Sequence, residues 1–311
     1  MKHQTTAHIL MVRPANFGFN EETAVNNAFQ KRGEGMGIED VSASAMREFD
    51  GFVAKLRAEG IDVVVAMDSD MPVKPDAIFP NNWISTHEDG TVVTYPMFSP
   101  VRRLERQEGI EALVGSRFEI KKRVHLEHYE GIGKYLEGTG SMILDRQHEV
   151  VYACGGPRTD KEVLDDFCEL VHYKRVLFDA VDAAGQAIYH TNVMMAMGEG
   201  FVVICMDAIR DDHQRGMLIR QFEQTKKDII EISLEQMGRF AGNMLQVRNR
   251  QGKTYLVMSD QAFESLNGTQ IAHIYRHTRI LHADIRTIET LGGGSARCMM
   301  AEIFLPEKPL V

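Results

Sequence analysis

The sequence predicts an α/β fold made of a strand–strand–helix–strand unit that is used about five times in 311 residues. Two apolar runs joined by a polar turn, the pattern of a β-hairpin, recur four times along the chain. The hairpins begin at residues 81, 141, 192 and 243, and a stretch that contains a cysteine continues the series from 295. Successive starts are therefore 60, 51, 51 and 52 residues apart, whereas hairpins in an ordinary α/β protein would recur without a fixed interval.

The N-terminal part of the chain contains a strand, two helices and a second strand. His8 to Val12 is a short apolar run and is predicted as a strand. Glu21 to Arg32 is predicted as a helix with Asn20 as its N-cap, because a side-chain oxygen there can accept a backbone N–H bond. Val41 to Glu59 has the apolar spacing of an amphipathic helix, and the β-branched run Ile61 to Met67 indicates a strand.

The remaining elements follow the repeated unit. A helical segment follows most of the hairpins, and a further strand comes before the next hairpin. The predicted helices are 100–114, 160–171, 211–222 and 261–266, and the predicted strands are 117–120, 175–178, 228–232 and 279–285. The N-terminal strand completes the unit that the C-terminal stretch begins, so the chain is expected to close into a ring.

A closed ring of such units answers two physical requirements. One unit cannot bury its own apolar face, and a neighbouring unit supplies the missing cover. Closure also protects the edges of the sheets from pairing with other chains. Although length alone would suggest two domains, we predict a single catalytic domain over residues 1–311, an α/β five-bladed propeller of ββαβ repeats with pseudo-fivefold symmetry.

The overall composition is that of a globular protein and limits the classes of function. Hydrophobic residues make up 44% and charged residues 25% of the chain, a balance typical of a packed domain. The net charge of −9 disfavours sequence-independent binding of nucleic acid, which requires a positive surface. No apolar run approaches the roughly 20 residues of a membrane helix. We therefore expect a cytoplasmic protein without a nucleic-acid or membrane partner, and the sequence leaves a homo-oligomer open.

Cys298 differs from the other cysteines in its surroundings. It follows three consecutive glycines, Gly292–Gly294, which permit positive φ and a close approach of the backbone to a small molecule. Such a cysteine can be a nucleophile, and the neighbouring Arg297 could favour its thiolate form. A buried strand cysteine after a flexible turn is the alternative. The other three cysteines are expected in the core, and no CxxC pair with zinc-ligand spacing occurs: Cys154, Cys168, Cys205.

Polar residue types gather where each repeat begins. The residues at these positions are Phe79-Pro80-Asn81-Asn82, Glu137-Gly138-Thr139-Gly140, His190-Thr191-Asn192, Gly242-Asn243 and Gly292 to Cys298. Taken singly, each is an ordinary turn or core residue more often than a functional one. Ring symmetry would place all these ends on one side of the axis, where a carboxylate, an imidazole, a thiol and amides would share one pocket. That combination is typical of covalent catalysis by a nucleophile with an acid/base partner.

As an ordered set over nearly the full length, these motifs resemble those of the guanidino-group modifying superfamily, the pentein fold. That superfamily includes arginine deiminases, dimethylarginine dimethylaminohydrolases and amidinotransferases, and the chain is most similar to its amidinotransferase-related, citrulline-utilisation hydrolase branch. The resemblance implies a five-bladed ring in which Cys298 is the nucleophile and His190 is the general acid and base. It further implies that Glu137 binds the nitrogens of the substrate and that no metal or organic cofactor takes part.

Two departures from the superfamily pattern bear on the substrate. Arginine-acting members usually carry the motif Phe-x-Arg-Asp, whereas this chain has Phe79-Pro-Asn-Asn82. They also carry His-x-Asp, whereas this chain has His190-Thr-Asn192. With Glu137 as the only remaining carboxylate, a buried guanidinium would lack compensating charge. A neutral ureido group fits better, because an amide can both donate to its carbonyl oxygen and accept from its NH₂ group. We therefore predict hydrolysis of citrulline to ornithine, ammonia and CO₂.

The substrate-binding residues are predicted less directly than the catalytic ones. The two amides above, together with Asn81, are expected to bind the ureido group. The carboxylate of the substrate requires a cation, for which Arg13 and Arg297 are the candidates. Three other functions remain open: an arginine deiminase or dimethylarginine dimethylaminohydrolase with the same residues, an amidinotransferase in which an amine replaces water, and a catalytically silent ring that acts as a binding factor.

Overall fold

Five small sheets of three strands each form the framework of the protein, which we describe from a computed structural model covering residues 2–31 and 37–309. The strands are β1 His8–Arg13, β2 Asp62–Met67, β3 Ile84–Thr86, β4 Thr91–Thr94, β5 Lys122–His125, β6 Ile143–Asp145, β7 Val150–Cys154, β8 Lys174–Phe178, β9 Met195–Met197, β10 Phe201–Ile204, β11 Asp228–Glu231, β12 Leu245–Arg248, β13 Thr254–Ser259, β14 Arg279–Ala283 and β15 Ala301–Ile303. The fold is therefore a mixed α/β fold with small sheets.

All five sheets have the same internal topology. Two strands pair antiparallel as a hairpin, and the third strand pairs parallel to the second one. In four sheets the three strands follow one another along the chain. In the fifth, β15 pairs antiparallel with β1, where Leu10 lies opposite Ala301, and β1 pairs parallel with β2. The prediction that the N-terminal strand completes the C-terminal unit is therefore confirmed.

Helices connect the second and third strands or precede the next hairpin. Those of the described residues are α1 Glu21–Ala24, α2 Ile38–Ala58, α3 Pro100–Arg103, α4 Glu108–Arg117, α5 Gly138–Ser141, α6 Lys161–Val171, α7 Asp212–Gln224, α8 Leu234–Gly238, α9 Asp260–Ser265, α10 Gly268–Tyr275 and α11 Arg286–Gly292. Short 3₁₀ segments occur at Pro80–Asn82, Glu127–Ile132, Thr191–Val193 and Met206–Ala208. None of the helices in the described part of the chain is both long and apolar enough to cross a membrane.

Several predicted boundaries are wrong for identifiable reasons. The apolar residues of 117–120 suggested a strand, but Phe118 ends α4 with a hydrogen bond from its N–H to the carbonyl of Val114, and the strand begins at Lys122. The predicted helix 100–114 is divided into α3 and α4. The helix predicted from Glu21 ends at Ala24, although Asn20 caps it as expected, and residue 32, the predicted end of this helix, lies outside the described residues.

The core lies between the sheets and the helices that cover them. In α6, four apolar side chains at helical spacing are buried on one face, and Asp160 caps the helix by accepting backbone N–H bonds: Val163, Leu164, Phe167, Cys168. The other two predicted core cysteines, Cys154 and Cys205, are fully buried as well. All four cysteines lie within the described ranges and are unpaired.

Cys154 offers a test of the core assignment. Its sulfur lies 3.4 Å from the hydroxyl of Thr191 and 3.8 Å from the carbonyl oxygen of Ile188, so Cys154→Ala removes packed atoms and a hydrogen-bond partner. We expect the free energy of unfolding to fall by ~1–3 kcal/mol in equilibrium urea unfolding. Cys298→Ala is the matched control, because that sulfur borders a pocket and should cost less stability. An equal or smaller loss for Cys154→Ala would contradict the assignment.

Candidate active site

Short helical turns carry the predicted motifs to one place. The segment Pro80–Asn82, helix α5 and the segment Thr191–Val193 each precede the first strand of a hairpin, and α5 packs against the other two. The packing requires glycine at two positions. A Cβ at Gly138, where φ is +47°, would lie 2.4 Å from the carbonyl oxygen of Asn81, and a Cβ at Gly140 would lie 2.3 Å from Asn82 Nδ2.

Glu137 and His190 form a buried pair at the centre of this packing. His190 Nε2 lies 2.8 Å from Glu137 Oε2, and the backbone N–H of Phe98 donates to Glu137 Oε1 at 3.0 Å. Burial opposes a charge on Glu137, but Arg158, the hydrogen bond from His190 and Arg102 together hold the pKa of this carboxyl well below its usual range. An ionised carboxylate can only accept, so His190 Nε2 carries a proton and Nδ1 keeps the lone pair.

His190 itself is neutral at physiological pH. Burial lowers the pKa of His190 to about 4, and the nearby guanidinium groups of Arg158 and Arg102 act in the same direction. Glu137 opposes this shift but does not outweigh it. A neutral imidazole with a fixed tautomer is ready to accept a proton, as a general base must be.

Cys298 lies on the turn that precedes β15 and is only 3% exposed. Two amides donate to its sulfur: Asn192 Nδ2 at 3.4 Å and Asn243 Nδ2 at 3.3 Å. The orientation of Asn243 is fixed because its Oδ1 accepts the backbone N–H of Arg297 at 3.0 Å. Amide donors at these positions stabilise negative charge on the sulfur.

A narrow pocket joins the cysteine and the histidine. It is lined by Thr23, Asn27, Asp76, Phe79, Asn82, Arg102, Arg158, Tyr189, His190, Gly292, Gly293, Gly294 and Cys298. The predicted glycine loop forms one wall by its backbone. A Cβ at Gly292 would lie 2.8 Å from the ring of Phe79, and a Cβ at Gly293, where φ is +63°, would lie 2.5 Å from Asn27 Nδ2.

Two buried arginines in this pocket were not predicted from the sequence. Arg102 donates to Glu105 at 2.8 and 3.0 Å and to Asn82 Oδ1 at 2.9 Å. Arg158 donates to the carbonyl oxygen of Thr23 at 3.0 Å, and its NH1 lies 3.5 Å from Glu137 Oε2. The repeat register contained a signal for them, because they lie 20 and 21 residues after Asn82 and Glu137, respectively, beyond the second strand of each hairpin.

Asp76 corrects the expectation that Glu137 is the only carboxylate near the substrate. Its side chain lines the pocket and accepts from Asn20 Nδ2 at 2.7 Å. Burial raises the pKa of Asp76 above its ordinary value, while Arg102, 3.7 Å away, acts against that shift. Glu137, by contrast, does not line the pocket; both its oxygens are engaged, and it orients His190 from behind.

The structure brings together only part of the predicted substrate-binding set. Asn82 lines the pocket, and Asn192 contacts the sulfur of Cys298. Asn81 is buried beside the pocket, where its Nδ2 donates to Thr139 Oγ1 at 3.3 Å.

The two arginines proposed from the sequence lie elsewhere. Arg13 pairs with Asp50, with its Nε 2.8 Å from Oδ1, and this pair is largely exposed. Arg297 donates to Glu302 at 2.8 Å and to the carbonyl oxygen of Met300 at 2.8 Å. Neither residue lines the pocket.

Four buried polar atoms in or beside the site have no hydrogen-bond partner among the described residues. They are Asp76 Oδ1, Asn81 Oδ1, Asn82 Nδ2 and Asn192 Oδ1. The Asn82 assignment is unambiguous, because its oxygen already accepts from Arg102, which can only donate. Buried polar atoms are normally paired. Asp76 and Asn82 line the pocket of Cys298, and Asn192 contacts its sulfur, so a ligand bound there could complete these bonds.

Solved structures show where this fold occurs. The N-terminal domain of ArgZ, an arginine dihydrolase from the ornithine–ammonia cycle in cyanobacteria, is similar in a substrate-bound mutant form, with a TM-score of 0.73, 16% identity, and coverage of 96% of this chain and 99% of that chain. AgrE in complex with ornithine and NAD⁺ is similar with a TM-score of 0.75 and 17% identity. The match covers 97% of this chain and 40% of the AgrE chain, so this chain spans less than half of AgrE.

A dimethylarginine dimethylaminohydrolase adduct with S-methyl-L-thiocitrulline gives a TM-score of 0.64 and 14% identity, with 96% of this chain and 99% of that chain covered. At these identities the likeness concerns the fold, which is that of the pentein superfamily. Comparison with curated proteins gave no match. The family model described as "N,N dimethylarginine dimethylhydrolase, eukaryotic" matches residues 13–305. The chain therefore belongs to this dimethylarginine dimethylhydrolase family of hydrolases within the pentein superfamily.

Proposed function

We propose that the protein is a cysteine-dependent hydrolase that attacks the ureido carbon of a small amino acid, with citrulline as the substrate that fits best. One observation carries the proposal. Asn82, which lines the pocket next to Cys298, has an unpaired amide donor, Nδ2, and Asn192, whose own Nδ2 contacts the sulfur, has an unpaired amide acceptor, Oδ1. A ureido group has one carbonyl oxygen that accepts and an NH₂ group that donates, so it pairs with both amides.

The charges of the pocket lining also favour a neutral reacting group. The ionisable acids and arginines that line it are Asp76, Arg102 and Arg158. A guanidinium would enter beside two buried guanidinium groups, and cations repel strongly where water is excluded. A ureido group avoids this cost because it carries no charge.

The two arginines and the aspartate fit the amino-acid end of the substrate. Arg102 and Arg158 can pair with its carboxylate, and guanidinium groups bind carboxylates with strong, directed hydrogen bonds. The unpaired Oδ1 of Asp76 can accept from its ammonium group. We therefore assign the role that the sequence suggested for Arg13 and Arg297 to Arg102 and Arg158.

The first chemical step forms a bond between the sulfur of Cys298 and the ureido carbon. His190 Nδ1 takes the thiol proton, and the carbon becomes tetrahedral with negative charge on its oxygen, which Asn82 Nδ2 stabilises. The carbon–nitrogen bond then breaks, and His190 gives the proton to the leaving amine. The product of this step is a carbamoyl thioester on Cys298.

Water completes the reaction. His190 accepts a proton from water, which attacks the thioester carbon and releases the thiolate as leaving group. The carbamate formed in this way decomposes to CO₂ and an amine. Whether ammonia or ornithine leaves first, one citrulline and one water give one ornithine, one ammonia and one CO₂. Glu137 maintains the tautomer of His190 through both steps.

We also propose that the five sheets close into a five-bladed ring forming one catalytic domain. Support comes from the first strands of the sheets, since β15 lies beside β3, and β9 lies beside both β6 and β12. In such a ring the five repeat ends meet on one side, as the shared pocket requires. The unpaired cysteines support the expected location in the reducing cytoplasm.

Asp76 favours a second candidate function, hydrolysis of a guanidino group. Its carboxylate in the pocket gives a guanidinium a partner that the sequence motifs alone did not offer. ArgZ, with the same fold, is an arginine dihydrolase, and the family is described by dimethylarginine. An amidino transfer would use the same residues with an amine in place of water.

A paired assay with citrulline and arginine tests the choice between these substrates. We expect ornithine and ammonia from citrulline, little turnover of arginine, and a loss of activity of roughly a thousandfold or more in Cys298→Ala and His190→Ala. Ornithine and ammonia are the products to measure. Turnover of arginine well above that of citrulline would overturn the ureido proposal, and full activity in Cys298→Ala would overturn the assigned chemistry.

The variant Asn82→Asp makes this test sharper. A carboxylate cannot donate to the ureido oxygen, so the ratio of kcat/KM for citrulline to that for arginine should fall by roughly tenfold or more. A ratio is insensitive to partial unfolding, because both substrates are assayed on the same sample. An unchanged ratio would show that Asn82 does not discriminate between citrulline and arginine.

Arg158→Lys tests the binding of the substrate carboxylate. The variant keeps the charge but loses the forked donor geometry, so we expect KM for citrulline to rise roughly 10- to 100-fold with a smaller effect on kcat. Arg297→Lys is the matched control, because Arg297 is also buried and ion-paired but lies outside the pocket. Equal changes of KM in the two variants would contradict the assignment.

His190 also predicts a pH dependence of stability. Its pKa is about 4 in the folded protein and about 6.5 in an unfolded chain, so between these values the unfolded chain binds the extra proton. Stability conferred by the neutral imidazole is therefore complete above pH 6.5 and is lost as the pH falls toward 4.

Between about pH 6.5 and 4.5, the free energy of unfolding of His190→Gln should fall less steeply with decreasing pH than that of the wild type. The two slopes should differ by up to about 1 kcal/mol per pH unit. Equilibrium urea unfolding across that range measures the slope. Glu137 loses its contribution only below this window, because its pKa is lowered from 4.5. Identical slopes in the wild type and the variant would contradict a buried, neutral His190.

A further inference from the structure

Three potential metal ligands meet on the surface between α10 and β11. Asp228 is the first residue of β11, His273 lies in the last turn of α10, and His277 lies just beyond it. One ligand atom from each lies within 4.8 Å of the other two. Asp228 Oδ2 is 2.9 Å from His277 Nε2 and 3.7 Å from His273 Nε2. We propose that this group, the Asp228–His273–His277 site, binds a divalent first-row transition metal ion such as Zn²⁺.

The donor set and its spacing match such an ion. Two imidazoles four residues apart at the end of a helix fall on the same side, because a helix turns once in 3.6 residues. Zinc takes histidine nitrogens at about 2.0–2.1 Å and carboxylate oxygens at about 2.0–2.2 Å, which places tetrahedral ligand atoms roughly 3.4 Å apart. The two distances from Asp228 lie on either side of that value.

The contact between Asp228 and His277 is not an ordinary hydrogen bond. Although the two atoms are 2.9 Å apart, His277 Nε2 is buried and makes no hydrogen bond within the described part of the chain. Two ligands of one metal ion are related in the same way: their atoms are close together but not aligned for a hydrogen bond, because both lone pairs are directed at the metal. Packing holds the ring of His277, whose centroid lies 5.1 Å from that of Phe201.

The backbone that carries the ligands is fixed independently of any metal. Asn267 and Gln270 form a capping box at the start of α10. The side chain of Gln270 also donates to the carbonyl oxygen of Glu231 at 2.7 Å, which attaches the helix to the far end of β11. The three ligands are therefore held by two elements that are already joined, and little ordering remains to oppose binding.

A second group of similar composition shows how an arginine can occupy a carboxylate that a metal ion would otherwise bind. His8, Asp62 and Glu307 are also close together, but Asp62 accepts from Arg117 and from Arg250, so its charge is already compensated. Asp228, in contrast, makes its ion pairs with the two histidines and with no arginine or lysine in the described ranges. The carboxylate at the proposed site is thus available to a cation.

The site serves stability and not the reaction. None of its three residues lines the pocket of Cys298. Helix α10 packs on both β11 and β14, which belong to neighbouring sheets in the sequence of repeats. A metal at this point joins β11 to the helix that also packs on β14. An ion that binds only the folded chain raises its thermal stability.

Cobalt titration of the full chain, without an affinity tag, tests the proposal. Co²⁺ reports its ligands by absorption, and thiolate ligation gives a charge-transfer band that nitrogen and oxygen ligands do not. At about pH 7.5, where imidazoles are neutral enough to bind, we expect one Co²⁺ per chain without that band, and competition by Zn²⁺. Both His273→Ala and His277→Ala should weaken binding by roughly tenfold or more, and Zn²⁺ should raise Tm only when both histidines are present.

His8→Ala is the matched control and should bind Co²⁺ as the wild type does. Circular dichroism of each apo variant verifies folding, and the partly exposed positions of both histidines make unfolding of the variants unexpected. Binding that survives both substitutions, binding lost in His8→Ala, a thiolate band that accounts for all the bound metal, or no binding at all would each overturn the proposal. None of these results depends on the substrate of the enzyme.

Discussion

The buried ion-pair network around Arg102 is the interaction on which the site depends. This guanidinium lies within 4 Å of three carboxylates, those of Asp76, Glu105 and Glu137. Buried charges are costly unless they are paired, and removing one member leaves the others without compensation. Arg158 supplies the second cation beside Glu137. Because these arginines keep Glu137 ionised, that residue can only accept from His190, and the histidine is therefore fixed in one tautomer with its lone pair on Nδ1.

The same network leaves a short and specific set of free groups for the substrate. Arg102 occupies Asn82 Oδ1, so the amide nitrogen is the atom that remains. Cys298 occupies Asn192 Nδ2, so there the oxygen remains. In the proposed function, one donor and one acceptor on these two amides complement a planar ureido group, whereas a guanidinium offers only donors. An aspartate in place of Asn82 or Asn192 would replace the NH₂ donor by a second acceptor. The two asparagines therefore change the hydrogen bonding of the site where the superfamily motifs have aspartate.

The sequence predicts what repeats and motifs encode, and it misses what depends on packing across the chain. The fixed interval between hairpins predicts five similar sheets, and the pairing of β1 with β15 follows from it. The thiol and imidazole lining one pocket follow from the same register. The sequence favoured Arg13 at the end of the first strand and Arg297 beside the cysteine, but neither lines the pocket. Arg102 and Arg158 lie about 20 residues beyond the motif residues, where only the folded repeat brings them back.

The surroundings of Cys298 fit the activation of its thiol in the reaction proposed above. Arg297 was expected to act through its charge, but its guanidinium is turned toward Glu302, and its backbone N–H instead holds Asn243 Oδ1. Asn243 is thereby oriented with its Nδ2 toward the sulfur, which also receives the donor from the neighbouring Asn192. Two amide dipoles stabilise developing negative charge on sulfur without placing a cation in the pocket. In the proposed reaction the proton passes to His190, whose neutral state allows it to accept, and the same imidazole then gives it to the departing amine.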